Sequence, residues 1–259
     1  MMRKLMSHRI LLLFMLGLLA LAVVGCSDDD DPGTPGGDNN GSSDQFDEAT
    51  AEAMTPMTVA LGTETAERVA DVSDGIDASK DGTWSWDAEN QWWVYHYSWD
   101  DMGSYDWTLT AQYLDTDGNP VQFRMDAMSA HLVMNGTGDF QYQSEAYSYS
   151  WSSTYSWDLT ITGLHTTTYT ANGGGNYVID YTVNSGGMTY SRHFVVDWEI
   201  LDPGLSRPVG GCPTGTIRFT MTPYTLDMTF DGTSTAEWVL KDGSGNTVNE
   251  GTESLECGS

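Results

Sequence analysis

The chain has 259 residues, of which 39% are hydrophobic and 18% are charged. This composition excludes a chain that is disordered throughout and is typical of a folded domain. Acidic residues outnumber Lys and Arg by 37 to 10, and the resulting net charge of −27 makes nucleic acid and anionic lipid surfaces poor partners. The 28 glycines and the many Trp, Tyr and Phe residues favour short strands joined by tight turns.

The first 26 residues have the pattern of an export signal. A basic stretch with Arg3, Lys4 and Arg9 precedes an apolar run at 10–24, and no acidic residue occurs before Cys26. About 15 apolar residues are too few for a helix that crosses a bilayer, but they suit the core of a signal peptide. The run ends in Val-Val-Gly followed by Cys26, which resembles the lipobox of bacterial lipoproteins.

In that family the cysteine carries acyl chains such as palmitate, and the signal is removed before it. The resemblance therefore implies that residues 1–25 are a signal peptide and that Cys26 is the lipidated first residue. Three acyl chains exceed what stable anchoring requires. The chain from Cys26 onward would carry 37 acids against seven bases, a net charge of −30. An ordinary cleaved signal with a chance cysteine is the alternative.

The residues after Cys26 bear on where the anchored protein is located. Aspartate directly after the lipidated cysteine resembles an inner-membrane retention signal, but position 27 is serine, which implies the outer membrane. The run Ser-Asp-Asp-Asp-Asp at 27–31 also resembles the acidic export tag of some surface-exposed lipoproteins; a solvated spacer is the alternative. We expect an outer-membrane protein, on the periplasmic face or at the cell surface.

Residues 26–44 predict a flexible acidic tether, because 27–44 contain no large apolar residue. A random coil of this length lifts the folded part off the membrane by roughly 20–25 Å.

Residues 45–78 are predicted to be helical. Asp44 is a candidate N-cap, and Pro56 ends the first segment or begins a second one that Thr55 caps. Gly62 weakens the middle of this segment. Its apolar face is thin and is expected to pack on the sheet that follows; this face comprises Met57, Leu61, Val69 and Val72.

In the range 79–259, apolar and polar residues alternate, which is typical of antiparallel strands with one solvent-exposed face. About 12 strands at short spacing leave no room for crossover helices. The fold class is therefore predicted to be mainly β: a large antiparallel meander that forms a curled, barrel-like sheet or a sandwich after the helical segment. The predicted turns include Asp117-Gly118, Asn135-Gly136, Asn172-Gly173, Gly186-Gly187, Asp231-Gly232 and Asp242-Gly243.

An internal echo links 94–110 to 146–160, since both ranges contain two short aromatic runs separated by a few residues. The pattern predicts two aromatic hairpins of the same design, with the second turn between Trp151 and Tyr155. Duplication and convergent use of a good hairpin sequence both explain it.

Cys212 and Cys257 remain if Cys26 is lipidated. An even pair in an oxidising compartment predicts a disulfide, and two free thiols are the alternative. Four strands between them return the chain to the same end of the sheet, about three strand spacings away. The bond therefore requires curling, strand exchange or a mobile tail.

The many Trp and Tyr residues have two interpretations. They fill large β cores, and similar rows stack on sugar rings in carbohydrate-binding sandwiches. Because Trp92 and Trp93 are adjacent on a strand, at least one of them is expected on the wet face. The candidate ligand-stacking residues are Trp92, Trp99, Trp107, Trp151 and Trp157.

The spacing of titratable residues predicts no metal site and no other cofactor. His96 and His193 each precede an aspartate by four residues, but on a strand this separation is about 13 Å, too far to hold one ion. Asp115–Asn119 is similar to a calcium loop, but Pro120 stands where that loop needs glycine, and a hairpin turn explains it better.

Motifs of serine hydrolases, zinc proteases, phosphate loops and dinucleotide-binding folds are absent from the sequence. We expect a non-enzymatic lipoprotein, structural or ligand-binding, with the membrane as partner through Cys26 and a glycan or envelope protein as further partner. The alternatives are a glycan hydrolase, which would show two carboxylates beside a Trp, and an envelope lipid carrier with an apolar cavity under a curved sheet.

Overall fold

The computed structural model describes residues 46–75, 84–100, 103–144, 147–185 and 188–257. Cys26, the tether and the predicted turn at Gly186-Gly187 lie outside these residues, as does the side chain of Trp99.

The described part of the chain is mainly β, as predicted, with one helix, a short 3₁₀ turn at Arg124–Asp126 and thirteen strands. The helix α1 spans Glu48–Gly75. The strands are β1 (Trp84–Asp87), β2 (Trp92–Asp100), β3 (Gly103–Leu114), β4 (Pro120–Val121), β5 (Ser129–Gln143), β6 (Tyr147–Thr162), β7 (Thr168–Ser185), β8 (Met188–Ile200), β9 (Leu205–Pro208), β10 (Thr214–Met221), β11 (Tyr224–Asp231), β12 (Thr235–Lys241) and β13 (Thr247–Ser254).

The strands form one antiparallel sheet in the order β1-β2-β3-β5-β6-β7-β8-β10-β11-β12-β13, which is a meander. The short β4 pairs with β3. β9 follows β8 along the same line of the sheet, between β7 and β10, after an interruption at 201–204. Strands β7, β8, β10 and β9 are thereby bonded in a ring, while β1 and β13 are the two ends of the order.

One face of the sheet packs against α1, and we call it the inner face; the opposite side is the outer face. Gly62 of α1 approaches Met228 and Phe219 closely. Residues directly opposite each other on neighbouring strands share a face, so the register carries the inner face across eight strands. This cross-strand row consists of Phe219, Trp198, Gly175, Trp157, Met134, Leu109, Tyr95 and Trp84.

α1 is a single helix of 28 residues, so the predicted division at Pro56 is wrong. The proline removes one N–H donor from the helix, but packing against the sheet outweighs this loss. The hydroxyl of Thr55 does not cap a second segment but donates to the carbonyl of Ala51 at 3.0 Å. Asp47 caps α1, because its carboxylate accepts a hydrogen bond from the Thr50 N–H at 2.8 Å. Asp44 lies outside the described residues.

Gly62 marks the place where α1 approaches the sheet most tightly. A Cβ atom at this position would lie 2.6 Å from Met228 Sδ and 3.2 Å from the Phe219 ring. The glycine that weakens the isolated helix therefore lets it dock. Of the predicted apolar face, Met57 is buried and Leu61 is half-buried; the side chains of Val69 and Val72 lie outside the described ones.

Two predicted turns are wrong, because Asn135-Gly136 lies inside β5 and Asn172-Gly173 lies inside β7. A Cβ atom at Gly136 would lie 2.3 Å from the Tyr155 ring, and one at Gly173 would lie 2.1 Å from the carbonyl oxygen of Asp158. These glycines provide room for the neighbouring strand instead of reversing the chain. As a result β5, β6 and β7 are 15, 16 and 18 residues long. The predicted turns at Asp117-Gly118, Asp231-Gly232 and Asp242-Gly243 do separate strands.

Only the first of the two predicted hairpins forms, with β2 and β3 paired from Asp100 and Ser104 onward. The described part of the second range, 147–160, lies within the single strand β6, where Ser153 pairs with Gly138 and Ile179. The tripeptide at 152–154 is Ser-Ser-Thr, without the Gly, Asn or Asp that a tight turn favours. The sequence echo therefore encodes two different local structures.

We call the two ends of the strands the proximal end, where the chain enters the described domain, and the distal end, opposite to it. At the proximal end, the backbone N–H of Phe46 donates to the carbonyl of Thr222, in the turn between β10 and β11, at 2.9 Å. At the distal end lie the loops 122–128, 163–167 and 209–213.

The predicted disulfide between Cys212 and Cys257 is present at the distal end, with the two Cα atoms 5.0 Å apart. The tail after β13 bends back towards the turn between β11 and β12, where the Leu255 N–H donates to the carbonyl of Ser234 at 2.9 Å. The tail thus spans the strand spacings that separate β13 from β10.

Candidate functional site

Six aromatic side chains on β1, β2 and β3 lie on the inner face, and we call them the aromatic row. Ring centroids lie 5.3 Å apart for Trp84 and Tyr95, and 5.1 Å apart for Tyr95 and Trp107. α1 packs mainly against β10 to β13 and also touches β6. All six rings are half-buried, so each keeps part of its surface in solvent: Trp84, Trp86, Trp93, Tyr95, Tyr97 and Trp107.

A group of tyrosines on β3, β6 and β7 also lies on the inner face. Burial is the main cause that raises the pKa of every member, and it raises the pKa of Tyr177 to about 12, with a smaller contribution from the Glu64 carboxylate. The hydroxyls therefore stay protonated and can donate hydrogen bonds at neutral pH. Among the described residues, Tyr149 Oη is buried without a hydrogen-bond partner. The group comprises Tyr105, Tyr149, Tyr155, Tyr177 and Tyr181.

Glycines on β5 and β7 fix the positions of several inner-face rings. A Cβ atom at Gly138 would lie 3.0 Å from the Tyr105 ring, and one at Gly175 would lie 2.8 Å from Trp198 Nε1. The ring of one strand thus covers the bare backbone of the next, as aromatic residues do over glycine in sheets. These pairs hold the inner-face rings in place across the strands.

Charge is segregated between the two faces of β1 to β8. Among the described residues of these strands, every carboxylate lies on the outer face, and Arg192 is the one Lys or Arg on the inner face. The Arg192 guanidinium lies 4.8 Å from the centroid of the Tyr190 ring and donates to the Tyr190 hydroxyl. The outer-face acids are Asp87, Asp106, Asp139, Asp158, Asp180, Asp197 and Glu199.

Three histidines on the outer face each pair with an aspartate on a neighbouring strand. The N···O distance is 3.1 Å for His96 and Asp106, and 2.7 Å for His131 and Asp158. His193 pairs likewise with Asp180 at 2.7 Å. In the part of the chain that the structure describes, no three His, Cys, Asp or Glu residues are placed to hold a metal ion.

The calcium-like sequence at Asp115–Asn119 is a hairpin turn, as predicted. The Asp115 carboxylate accepts hydrogen bonds from the backbone N–H groups of Asp117 and Asn119 at 2.9 and 2.8 Å. These bonds hold the pKa of Asp115 below its usual value. The turn at 242–246 has the same arrangement around Asp242. Both carboxylates therefore stabilise the turns in which they lie.

The structure separates the four candidate stacking tryptophans whose side chains it describes; the side chain of Trp99 is not among them. Trp107 and Trp157 lie half-buried on the inner face, and Trp151 lies there with only 6% of its surface exposed. Trp92 lies on the outer face, with its ring centroid 5.4 Å from that of His131. This meets the expectation that one of Trp92 and Trp93 reaches the outer face.

Sequence reasoning missed most of the aromatic row, since Trp84, Trp86 and Trp93 were not among the candidate stacking residues. The alternation of Trp84 and Trp86 with Ser85 and Asp87 is the signal that could have identified them, because it places both indoles on one face.

No protein-family model, curated protein or solved structure matches the chain. Within the described ranges, no helix combines the length and the apolarity needed to span a membrane.

Proposed function

We propose that the protein is a non-enzymatic lipoprotein of the bacterial outer membrane that binds a neutral glycan on its aromatic row. Cys26 would carry the lipid, and the acidic tether at 26–44 would hold the β domain at the periplasmic face or at the cell surface. The observation that carries the binding proposal is the charge segregation in β1 to β8: the half-exposed rings lie on the inner face, and all described carboxylates of these strands lie on the outer face.

Indole and phenol rings suit the faces of sugar rings. The axial C–H groups of a pyranose pack on an aromatic face, and the tyrosine hydroxyls and indole N–H groups bond to sugar hydroxyls. In the aromatic row, Trp84, Tyr95 and Trp107 are in contact one after another, so that a chain of several sugar units could lie along β2 and β3. Their partial exposure leaves surface to be buried by such a ligand.

The charge of the domain favours a neutral ligand over a charged one. A polyanion would be repelled by a chain of net charge −30, counted from Cys26. A polycation would be drawn to the acidic outer face instead of the inner one. A neutral polymer is neither repelled nor attracted by these charges, so it binds where aromatic surface is available.

A binding experiment with matched tryptophan variants tests this proposal. The chain from residue 26 with Cys26→Ser, made without lipid, would be screened on a glycan array, and the best neutral oligosaccharide titrated by calorimetry. The double variant Trp84→Ala/Trp86→Ala should weaken binding at least tenfold, which corresponds to about 1.4 kcal/mol. Trp92→Ala, on the outer face, should bind as the parent does.

Four outcomes would contradict the proposal. The array could show no neutral glycan, or Trp92→Ala could weaken binding as much as the inner-face variant. Fatty acid or phospholipid could bind where no glycan does, which would favour a lipid carrier. Release of shortened sugars during the titration would indicate a hydrolase instead of a binding protein.

The anchor is tested separately in cells. Labelled palmitate should be incorporated into the parent protein and into Cys257→Ser, but not into Cys26→Ser. Protease treatment of intact cells then distinguishes the two locations, since a surface-exposed domain is cleaved and a periplasmic one is protected.

A further inference from the structure

Arg207, at the distal end of the inner face, has a hydrogen-bond donor that the described residues do not use. It lies on β9, directly opposite Tyr169 of β7. Its Nε donates to the carbonyl of Gly211 at 3.2 Å, but its Nη1 is buried and has no hydrogen-bond partner in the described ranges. A buried donor of a charged group without an acceptor is destabilising. An acceptor for Arg207 is therefore missing from the domain itself.

Arg218 shows how the same chain satisfies a guanidinium elsewhere. Its Nε and Nη2 donate to the two carboxylate oxygens of Asp227 at 2.7 and 3.0 Å, which is the bidentate geometry that a planar guanidinium favours. The sequence contains 37 acids, yet Arg207 forms no ion pair with any described residue. The charge of Arg207 is thus left for a partner from outside the domain.

Tyr169 provides a second donor opposite Arg207. Its hydroxyl oxygen accepts a hydrogen bond from Nη2 of Arg124 at 3.3 Å, so the hydroxyl hydrogen remains to be donated. Arg124 also brings a second guanidinium to the same hydroxyl. Guanidinium groups have donors and no acceptor, and the acceptor oxygen of this phenol is already used. Two positive charges and donors alone are complementary to an oxyanion.

The backbone around these side chains is held in place by the neighbouring loops. The His165 imidazole lies 3.1 Å from the backbone carbonyl of Arg124, and the Val209 N–H donates to the carbonyl of Thr167 at 2.9 Å. The disulfide at Cys212 ties down the loop 209–213, which contains the carbonyl that accepts from Arg207 Nε. A site that is formed before binding loses little conformational entropy when it is filled.

The acidic turns at the distal end have other partners. The Asp115 carboxylate accepts hydrogen bonds from its own turn, and the Asp231 carboxylate accepts from the N–H and the hydroxyl of Thr233 at 2.9 and 2.6 Å. Asp126 is exposed and forms no ion pair with a described residue. The net charge of −30 still repels anions at long range. The site therefore suits a single small oxyanion held by close hydrogen bonds, and not a polyanion.

We propose that Arg207 and Tyr169 bind one small oxyanion: a sulfate, phosphate or carboxylate group. The Arg207 guanidinium donates to its oxygens and neutralises its charge, and the Tyr169 hydroxyl donates one further hydrogen bond. Arg124 holds this hydroxyl and adds a second positive charge. Arg207 and Tyr169 are both half-buried, so each keeps contact with solvent. The proposal is independent of the glycan site, which lies on β1 to β3.

Calorimetric titration of the unlipidated chain from residue 26, with Cys26→Ser, tests this site. Sulfate, phosphate, acetate and glucuronate would be added as sodium salts at constant ionic strength, so that screening does not change. At least one of them should bind saturably, with one ion per chain. Arg207→Gln should raise its dissociation constant at least tenfold, and Tyr169→Phe by about threefold through the loss of one hydrogen bond. Arg192→Gln, which removes the same charge at the proximal end, should leave it unchanged.

Absence of saturable binding for all four ions would overturn the proposal. So would an Arg192→Gln variant that loses as much affinity as Arg207→Gln, because the effect would then follow from overall charge. Circular dichroism checks the fold of each variant; if Arg207→Gln does not fold, unchanged affinity in Tyr169→Phe overturns the assignment. Tighter binding of glucuronate than of acetate would identify the oxyanion as part of an acidic sugar, and equal binding would identify it as a free ion.

Discussion

The inner face of the sheet is used differently in its two halves. In β10 to β12, beneath α1, the inward side chains are largely aliphatic or Met and are fully buried, with exposures of 0% for Ile217, Met221, Leu226 and Met228. In β1, β2 and the first part of β3 the inward side chains with described burial are Trp and Tyr, apart from Gly103, and these rings stay half-exposed, whereas Leu109, Ala111 and Tyr113 further along β3 are buried. The same alternation of apolar and polar residues thus builds a closed core at one side and an open aromatic surface at the other.

The comparison shows that the period of a pattern does not reveal whether the apolar face is covered. The residue type carries that information in part. Leu, Ile and Met lose nothing by complete burial, whereas Trp and Tyr carry a polar atom that favours contact with water or a ligand. The aliphatic half lies under α1, and the Trp- and Tyr-rich half remains available.

The largest expected effect is a difference in stability between a variant of the covered half and a variant of the aromatic half. Phe219→Ala, under α1, should lower the free energy of unfolding by about 3–5 kcal/mol, because it leaves a cavity in a closed core. Tyr95→Ala lies in the same cross-strand row but is half-exposed, so we expect less than half of that loss. Urea unfolding followed by circular dichroism measures both. Equal losses would mean that the aromatic row is as much a core as the aliphatic half.

The second-largest effect on stability is expected from removal of the disulfide, and it should be confined to the C-terminal half. Cys257→Ser opens a loop of 45 residues and should cost about 2–4 kcal/mol. β13 has few buried side chains and depends on this link, so its amides should exchange faster than those of β2 and β3. Hydrogen exchange with mass spectrometry follows both regions, and Cys212→Ser should give the same pattern. Uniform acceleration over the whole sheet would contradict the local role of the bond.

A smaller effect is expected from Gly175, one of the inner-face glycines that a ring of the neighbouring strand approaches closely. Gly175→Ala would place a Cβ atom 2.2 Å from the carbonyl oxygen of Ser156, which is backbone and cannot turn away. Overpacking of this kind should cost about 1–3 kcal/mol. Thr154→Ala, exposed on the outer face, should cost no more than about 0.5 kcal/mol. Similar losses in thermal unfolding of the two variants would show that the close approach is unimportant.

The smallest expected effect concerns the outer face of the C-terminal half, where Asp227 accepts hydrogen bonds from Arg218 and Lys241 at 2.7 and 3.2 Å. Burial alone would raise the pKa of Asp227, but these bonds hold it below the usual value. Its contribution to stability is therefore complete above the unfolded pKa of about 3.9 and is lost as the pH falls through the lower folded value.

Asp227→Asn should consequently cost about 1 kcal/mol or less at pH 7, and the difference from the parent should shrink below pH 4. Urea unfolding between pH 2 and 7 measures it, with Glu237→Gln on the same face of β12 as the control. A difference that stays constant down to pH 2 would contradict the pKa assignment.

Much of the fold could be predicted from the sequence. The alternation that begins at Trp84 predicted an antiparallel meander, and the pairing of Cys212 with Cys257 followed from the number of cysteines. The helix was predicted, but not its continuity through Pro56, because docking on the sheet is a tertiary effect that local propensity cannot include.

The failures share one physical cause. Asn135-Gly136 and Asn172-Gly173 have the sequence of turns, yet a glycine within a strand also allows a ring or a neighbouring backbone to approach. Which role applies depends on the opposite strand, where Tyr155 and Asp158 occupy the space. The candidate site was found only in part, because this too depends on tertiary structure. The alternation of apolar and polar residues along a strand does not show which part of the inner face α1 covers.

Hydroxyl-radical footprinting of the unlipidated chain, with and without its best neutral oligosaccharide, tests the central claim most directly. Without sugar, Trp84, Trp86, Trp93 and Trp107 should be oxidised much faster than Phe219 and Trp198. The sugar should protect those four tryptophans and leave Trp92, on the outer face, unchanged. Slow oxidation of the aromatic row without sugar, or protection of Trp92 in its place, would contradict the division of the inner face into a closed core and an open binding surface.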